Sequence, residues 1–155
     1  MTWQEWAKLL VALAAPLLGF AGAWFATRWA LGRFYKERVW ERKAAAYTVI
    51  FECLHDMLMW HQEHLDATMR YSEIPKSKEE KLEKDYQTAK ETMRRRIAAE
   101  SWLLDGRVET RIVDMMRELK EDRDSWFDIL DEGLLAMKNA QADMRTIARE
   151  DLAIG

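Results

Sequence analysis

Three histidines lie in a stretch of ten residues and are the side chains best suited to metal chemistry. Glu52 stands three residues before His55, which is the Glu-x-x-His spacing of di-iron helical bundles. Such a site needs a second copy of the motif on another helix, and here His55, His61 and His64 share one predicted helix. His61 and His64 are also three residues apart, whereas the zinc-protease helix needs four. Two interpretations stay open: a metal held between subunits, or ordinary polar positions with His61 partly buried in a helix seam.

The chain contains one cysteine, Cys53, so no disulfide can form within it. A single cysteine fits a reducing compartment. Its position beside an apolar helix face predicts a small core residue, because a reactive thiol needs an exposed, electropositive setting.

The densest basic run away from the N-terminus is Arg94, Arg95 and Arg96. Guanidinium groups bind phosphates and other anions, so the run is a candidate contact for an anion or an acidic partner. Three successive helical residues point in three directions, however, and a solvated face is the alternative.

No enzyme motif accompanies these residues. The sequence has no Gly-rich phosphate loop, no nucleophile elbow and no metal-protease helix. We therefore expect a protein that is not an enzyme and that needs no cofactor.

Residues 9–26 carry no charged side chain, and a run of about 18 apolar residues is near the lower limit for a membrane span. Tryptophan prefers the membrane interface, and four tryptophans flank this run as predicted anchors: Trp3, Trp6, Trp24 and Trp29. The sequence therefore predicts a transmembrane helix within residues 1–31. The rival interpretations are a signal peptide cleaved near Ala21-Gly22-Ala23 and a buried core helix.

Charge gives the predicted orientation. Residues 1–43 have a charge of +4 and residues 44–155 a charge of −7. The basic side chains follow the apolar run, where they can meet lipid headgroups: Arg28, Arg33, Lys36 and Arg38. The positive-inside rule then places the N-terminus outside and residues 32–155 in the cytoplasm.

Few helix breakers interrupt the remainder. Pro75, Gly106 and Gly133 divide residues 32–155 into four predicted helices, at about 33–71, 77–104, 107–131 and 134–153. Ser77 and Glu80 have the spacing of a capping box. The fold class expected is all-α, with one N-terminal transmembrane helix continuing into a cytosolic helical bundle. The apolar positions predicted to form its core include Tyr47, Phe51, Leu54, Leu58, Leu65, Leu82, Tyr86, Met93, Ile97, Val108, Ile112, Met115, Met116, Leu119, Trp126, Leu134, Met137, Met144, Ile147 and Leu152.

A stripe of small residues runs along the apolar segment at spacings of three and four. Small side chains let helices approach closely in lipid, so these residues are predicted to pack copies of the chain together: Ala12, Gly19, Ala23, Ala26 and Ala30. The stripe continues with large apolar residues from Tyr47 to Leu65, which suggests one seam of self-association; two unrelated stripes are the alternative. If the opposite face lined a pore, Leu13, Leu17 and Phe20 would form a hydrophobic gate, and otherwise they face lipid.

The stretch Lys36-Glu-Arg38-Val-Trp40-Glu-Arg42-Lys43-Ala-Ala-Ala-Tyr47 follows the predicted span. In this layout the chain resembles small single-span proteins of the bacterial inner membrane, including anti-phage membrane effectors of the Hailong type. The resemblance covers architecture and about a dozen residues, and it implies an oligomer that perturbs the membrane once a partner senses infection.

Two functions follow as expectations. The first is a homo-oligomeric membrane effector or ion channel gated through its cytosolic domain, with a tetramer as the first guess and a soluble regulatory protein as partner. The second is a membrane anchor or adaptor whose acidic bundle recruits a soluble partner. Nucleic acid is not an expected partner.

Overall fold

The computed structural model describes residues 3–153; for residues 4–18 and 21 it describes the backbone and not the side chains. Four helices account for nearly all of this range: α1 (Trp3–Met69), α2 (Lys76–Glu100), α3 (Gly106–Glu118) and α4 (Trp126–Leu152). Residues 3–153 contain no strand. The all-α prediction and the helical bundle are therefore confirmed.

The C-terminal end of α1 is fixed by its own backbone. The Ser72 N–H donates to the Ala67 carbonyl at 3.0 Å and the Tyr71 N–H to the Thr68 carbonyl at 3.3 Å. Tyr71 has a φ of 52°, so this is a Schellman motif with a tyrosine at the left-handed position that glycine normally takes. The chain leaves the helix here and Pro75 then precedes α2.

Side-chain caps set the starts of α3 and α4. Asp105 accepts a hydrogen bond from the Arg107 N–H at 2.9 Å, and Ser125 accepts one from the Asp128 N–H at 3.1 Å. These bonds satisfy backbone donors that have no partner within the helix. The predicted capping box of Ser77 and Glu80 is wrong, because α2 begins one residue earlier, at Lys76, and no side chain caps it.

The structure also corrects the predicted division at Gly133. This glycine lies inside α4, and the loop that separates the last two helices is residues 119–125. The physical reason is that Ser125 caps α4, so the helix begins at Trp126, seven residues before the glycine. A side chain at Gly133 would place its Cβ 2.7 Å from the His61 ring, so the glycine serves close packing rather than chain reversal.

The chain divides into two units, Met1–Glu41 and Arg42–Gly155, and α1 contributes residues to both. The predicted division was at residue 31. Burial explains the later position: all side chains of residues 22–41 are exposed, and the first fully covered ones are Ala46 and Tyr47.

The second unit has its own hydrophobic core. Side chains from the last part of α1 and from α2, α3 and α4 meet there, and the largest of those that are fully covered are Ile50, Leu54, Met57, Met93, Val108, Met115, Leu130, Met137 and Met144. Most predicted core positions are buried or half-buried. Trp126 is an exception: it is half exposed because it is the first residue of α4, at the edge of the bundle.

In the part of the chain that the structure describes, no helix combines the length and the apolar character that crossing a membrane requires. Most side chains of the charge-free run 9–26, at residues 9–18 and 21, lie outside that description.

Candidate functional site

A groove of about 670 Å³ lies between α2 and α3 in the second unit. The two helices are consecutive and joined by a short turn, so residues late in α2 face residues early in α3. The floor of the groove is apolar, and it consists of Ile97, Ala98, Ile112, Val113 and Met116. Its rim is polar and consists of Gln87, Lys90, Glu91, Arg94, Glu109, Arg117 and Lys120.

The rim carries a local excess of positive charge on a unit that is acidic as a whole. Its two carboxylates are Glu91 and Glu109. Arg95 and Arg94 hold Glu91 at 2.7 and 2.9 Å, and their hydrogen bonds, with Arg95 first, lower the pKa of this carboxyl. The net result is a groove edge whose field favours an anion.

The three successive arginines diverge, as their helical geometry predicts. Arg94 borders the groove and Arg95 reaches back to Glu91. Arg96 instead pairs with Glu100 at 2.9 Å on a half-buried part of α2. The basic run therefore does not form one anion site. Lys90, Arg117 and Lys120 complete the basic rim with Arg94. They were not singled out from the sequence because they are separated along the chain and form no basic run.

The histidines do not come together as ligands. His61 is buried at 4% exposure, its Nδ1 lies 3.1 Å from the Met57 carbonyl oxygen, and burial lowers its pKa. His64 stacks on Trp60 with ring centroids 4.2 Å apart, and His55 is exposed. Among the described residues, no group of three His, Cys, Asp or Glu side chains is arranged to hold a metal ion. His61 is instead a packing residue of the bundle.

Around these histidines lies a small aromatic cluster. Trp60 is its centre, in edge or tilted contact with His61, Tyr86 and Trp126, and its Nε1–H donates to Glu83 Oε2 at 3.0 Å. The cluster joins α1, α2 and α4 at one end of the bundle. It explains why the half-exposed Trp126 is still a structural contact.

Cys53 is buried in the core of the bundle. Burial, and after it the nearby carboxylates of Asp56 and Glu52, raises the pKa of its thiol. The predicted core role fits this setting, because a thiol that stays protonated is a poor nucleophile.

A charged pair near the start of the second unit was not predicted from the sequence. Lys43 Nζ lies 2.6 Å from Asp151 Oδ1, and the Tyr47 hydroxyl donates to Asp151 Oδ2 at 3.0 Å. Burial, with this carboxylate, raises the pKa of Tyr47 above its ordinary value. The contact ties the first residues of the unit to the end of α4. More than a hundred residues separate its partners, so no local pattern could reveal it.

A second network ties the α2–α3 turn to α4. Arg107 bonds both carboxylate oxygens of Asp105 and reaches Glu150 at 2.6 Å. These hydrogen bonds lower the pKa of Asp105 to about 2. The sequence signal was present here, since an Asp before a helix start is a typical cap.

The residues predicted to pack in the membrane are exposed wherever the structure describes them. Gly19, Ala23, Ala26 and Ala30 are exposed, and open space surrounds Gly19. So are the predicted anchors Trp3, Trp24 and Trp29 and the predicted gate residue Phe20. The side chains of Trp6, Ala12, Leu13 and Leu17 lie outside the described residues.

Two of the basic residues predicted to meet lipid headgroups contact neighbours on α1. Arg33 pairs with Glu37 at 3.1 Å, and Arg38 lies over the Phe34 ring at 5.1 Å from its centroid. Arg28 and Lys36 are exposed. Their predicted contact with headgroups stays a prediction.

Apolar exposure extends beyond the predicted span. Leu31, Phe34, Tyr35 and Val39 are all exposed, although they follow the first basic residues. Their spacing of three and four places them along one side of a helix. The sequence analysis did not predict this second stripe, because charged residues lie between its members.

Comparison with models of protein families, with curated proteins and with solved structures finds no match to this chain.

Proposed function

We propose that the chain is a homo-oligomeric membrane effector: residues 9–26 span a bilayer, copies of the N-terminal helix pack together, and the bundle regulates the assembly. The observation that carries this proposal is the exposure of every described side chain in residues 19–20 and 22–41. Large apolar side chains such as Trp24, Phe25 and Trp29 are exposed in this stretch, and a group of them marks contact with a membrane or with protein.

The chemistry of that surface favours both kinds of contact. The small residues from Gly19 to Ala30 suit close helix packing in lipid. Tryptophans such as Trp24 and Trp29 suit the interface. Leu31, Tyr35 and Val39 follow the charge-free run at spacings of four, so they lie on one side of the helix, and a neighbouring helix can cover such a stripe.

The bundle supplies a regulatory domain that is complete in one chain. The large residues of the predicted seam, Tyr47, Leu54 and Leu65 among them, are buried in that chain's own core. Self-association is therefore proposed for residues 3–41 only. By the positive-inside rule the bundle faces the cytoplasm of a bacterium, where a soluble partner can reach it.

In this proposal the assembled helices open a pore or otherwise breach the inner membrane, as an anti-phage defence effector would. Leu13, Leu17 and Phe20 are the proposed gate, since an apolar constriction can close a pore by dewetting. A tetramer is the proposed oligomer.

The test is the protein mass of the full-length chain in mild detergents, by light scattering with the detergent subtracted. We expect a defined oligomer, and the double variant Gly19→Leu with Ala23→Leu should reduce it to smaller species and abolish ion flux in liposomes. Ala142→Leu is a control, because it makes the same exchange as Ala23→Leu on the exposed face of α4. A wild-type monomer in every detergent would overturn the proposal.

A second candidate, a membrane anchor that recruits a soluble partner, is favoured by the self-contained core of the bundle. A bundle that needs no second copy can serve as a recruiting domain by itself. Replacing residues 1–31 with an unrelated transmembrane helix separates the two: an anchor keeps its function after the exchange, and an assembling effector loses it.

A further inference from the structure

We infer that the groove between α2 and α3 docks an acidic amphipathic helix of a partner protein. The inference rests on the regulatory role proposed for the bundle, and it names the chemistry of the partner that would act there. Three features carry it: the dimensions of the groove, its apolar floor and its basic rim.

The dimensions suit a helix. The lining residues run from 87 to 98 on α2, which is about 16 Å or three helical turns. On the other side they run from 109 along α3 and end at Lys120, in the loop after this helix. The groove is partly open to solvent. Small-molecule sites usually enclose most of their ligand, whereas an open channel between two helices is the geometry of helix-in-groove recognition.

The floor offers the apolar contact that such docking needs. Ile97 and Ile112 are buried at its base, and Met116 is half-buried beside them. Val113 stands half exposed on the same face of α3. A partner helix would cover Val113 with leucine-like residues at spacings of three and four.

The rim decides the charge of the partner. Four basic residues border the groove: Lys90 and Arg94 from α2, Arg117 from α3, and Lys120 from the loop that follows α3. Arg94 already holds Glu91, and Arg117 holds Asp114 at 2.9 Å. Lys90 and Lys120 have no ion pair within the described residues. Glu91 and Asp114 are thus engaged, whereas Glu109, the other rim carboxylate, has no ion pair within the described residues. The four basic side chains of the rim still outnumber its two carboxylates, and the two lysines are placed to meet carboxylates of a partner.

This positive rim stands against the charge of its surroundings. Residues 44–155 carry −7, so most of the bundle repels an acidic helix and the groove attracts it. Such an arrangement favours one docking position over others, because like charges elsewhere suppress misplaced encounters.

The test uses the full-length chain in nanodiscs of neutral lipid. The probe is a fluorescent 14-residue peptide with leucines at spacings of three and four and glutamates at the flanking positions. We expect saturable binding by anisotropy. The variant Arg117→Glu with Lys120→Glu should weaken binding by about tenfold or more, since it turns attraction at the rim into repulsion.

Matched controls separate the groove from general electrostatics. Lys81→Glu with Lys138→Glu makes the same change of charge at exposed positions away from the groove and should leave binding unchanged. A peptide of the same composition in scrambled order tests the need for an apolar face. Circular dichroism confirms that each variant keeps its helices.

Several outcomes would overturn the inference: no saturable binding, equal binding of the scrambled peptide, or equal loss in both pairs of variants. A second copy of the chain could also occupy the groove. In that case a dimer mass would be seen without the peptide and would disappear when the peptide is added, and this result would overturn the inference by assigning the groove to self-association. Light scattering on the same nanodiscs reports assembly independently. A monomer that still binds the peptide refutes the proposed effector and leaves the groove assignment in place.

Discussion

The helix α1 contains two stretches, residues 22–41 and residues 42–69, that differ in the exposure of their apolar side chains. In the first stretch every side chain is exposed, whereas in the second most of the apolar ones are buried or half-buried in the core of the bundle. Leu31 is 50% exposed and Leu54 is 1% exposed. Helix formation alone therefore says little about role: the second stretch is stabilised by the core of its own unit, whereas the apolar side chains of the first stretch are exposed.

The comparison also applies to the polar side chains. The ion pair of Arg33 with Glu37 is local and exposed, at 84% and 60% for the two side chains. That of Lys43 with Asp151 joins two helices and is mostly covered, at 21% and 13%. The ion pair in residues 22–41 thus lies on the surface of one helix, whereas the pair in the second unit stabilises a contact between two helices.

The largest expected effect distinguishes the two leucines. Leu54→Ala should lower the free energy of unfolding of the bundle by about 2 to 5 kcal/mol, because it leaves a cavity in a fully covered core. Leu31→Ala should change that free energy by less than about 0.5 kcal/mol and should instead reduce the oligomeric mass. Urea unfolding and light scattering on the full-length chain measure both.

A result in which Leu31→Ala destabilises the bundle as much as Leu54→Ala would break the comparison. It would mean that the stability of the bundle also depends on the first stretch.

The ion pairs should give the next largest difference. Asp151→Asn removes the charge that Lys43 and the Tyr47 hydroxyl share, and breaking a mostly covered pair leaves the lysine uncompensated, so we expect a loss of about 2 kcal/mol. Glu37→Gln removes an exposed i, i+4 pair and should cost about 0.3 kcal/mol. Urea midpoints at low and at 0.5 M salt measure both losses. The control is the double variant Lys43→Met with Asp151→Asn, which should recover part of the stability; no recovery would show that the pairing itself contributes little.

The features that periodicity could predict are those that repeat along one helix. The all-α fold and the core positions from Tyr47 to Leu65 and from Val108 to Met116 follow from spacings of three and four between apolar residues. Burial on one helix face leaves such a pattern whatever the partners are.

The features that it missed depend on which helices meet. The groove forms only where α2 and α3 lie beside each other. The contact of Lys43 with Asp151 forms only because the first and last residues of the second unit's sequence lie close together. The prediction of a helix boundary at Gly133 was wrong for the same reason. A glycine that ends a helix and a glycine that allows close approach to a side chain such as His61 look the same in the sequence. Only the packing of the helices distinguishes these cases.

The smallest expected effect is a pH dependence that belongs to the bundle alone. His61 is covered by Trp60 and Tyr86 and lies against Gly133, and burial, followed in the same direction by the charge of His64, lowers its pKa below 6.5. At a pH between the pKa values of the folded and the unfolded chain, His61 is therefore protonated mainly in the unfolded chain. The stability from this group is fully present above pH 6.5 and is lost as the pH falls from there toward the lower pKa of the folded state.

Urea unfolding between pH 7.5 and pH 5.5 should thus show a falling free energy in the wild type. We expect His61→Gln to remove part of that slope whatever its effect on stability at pH 7.5. His55→Gln, on an exposed position of the same helix, should retain the slope. Equal slopes in the wild type and in His61→Gln would show that the buried ring accepts a proton at little cost. The close packing at Gly133 would then have to yield room for water beside His61, and the bundle end would be looser than its contacts suggest.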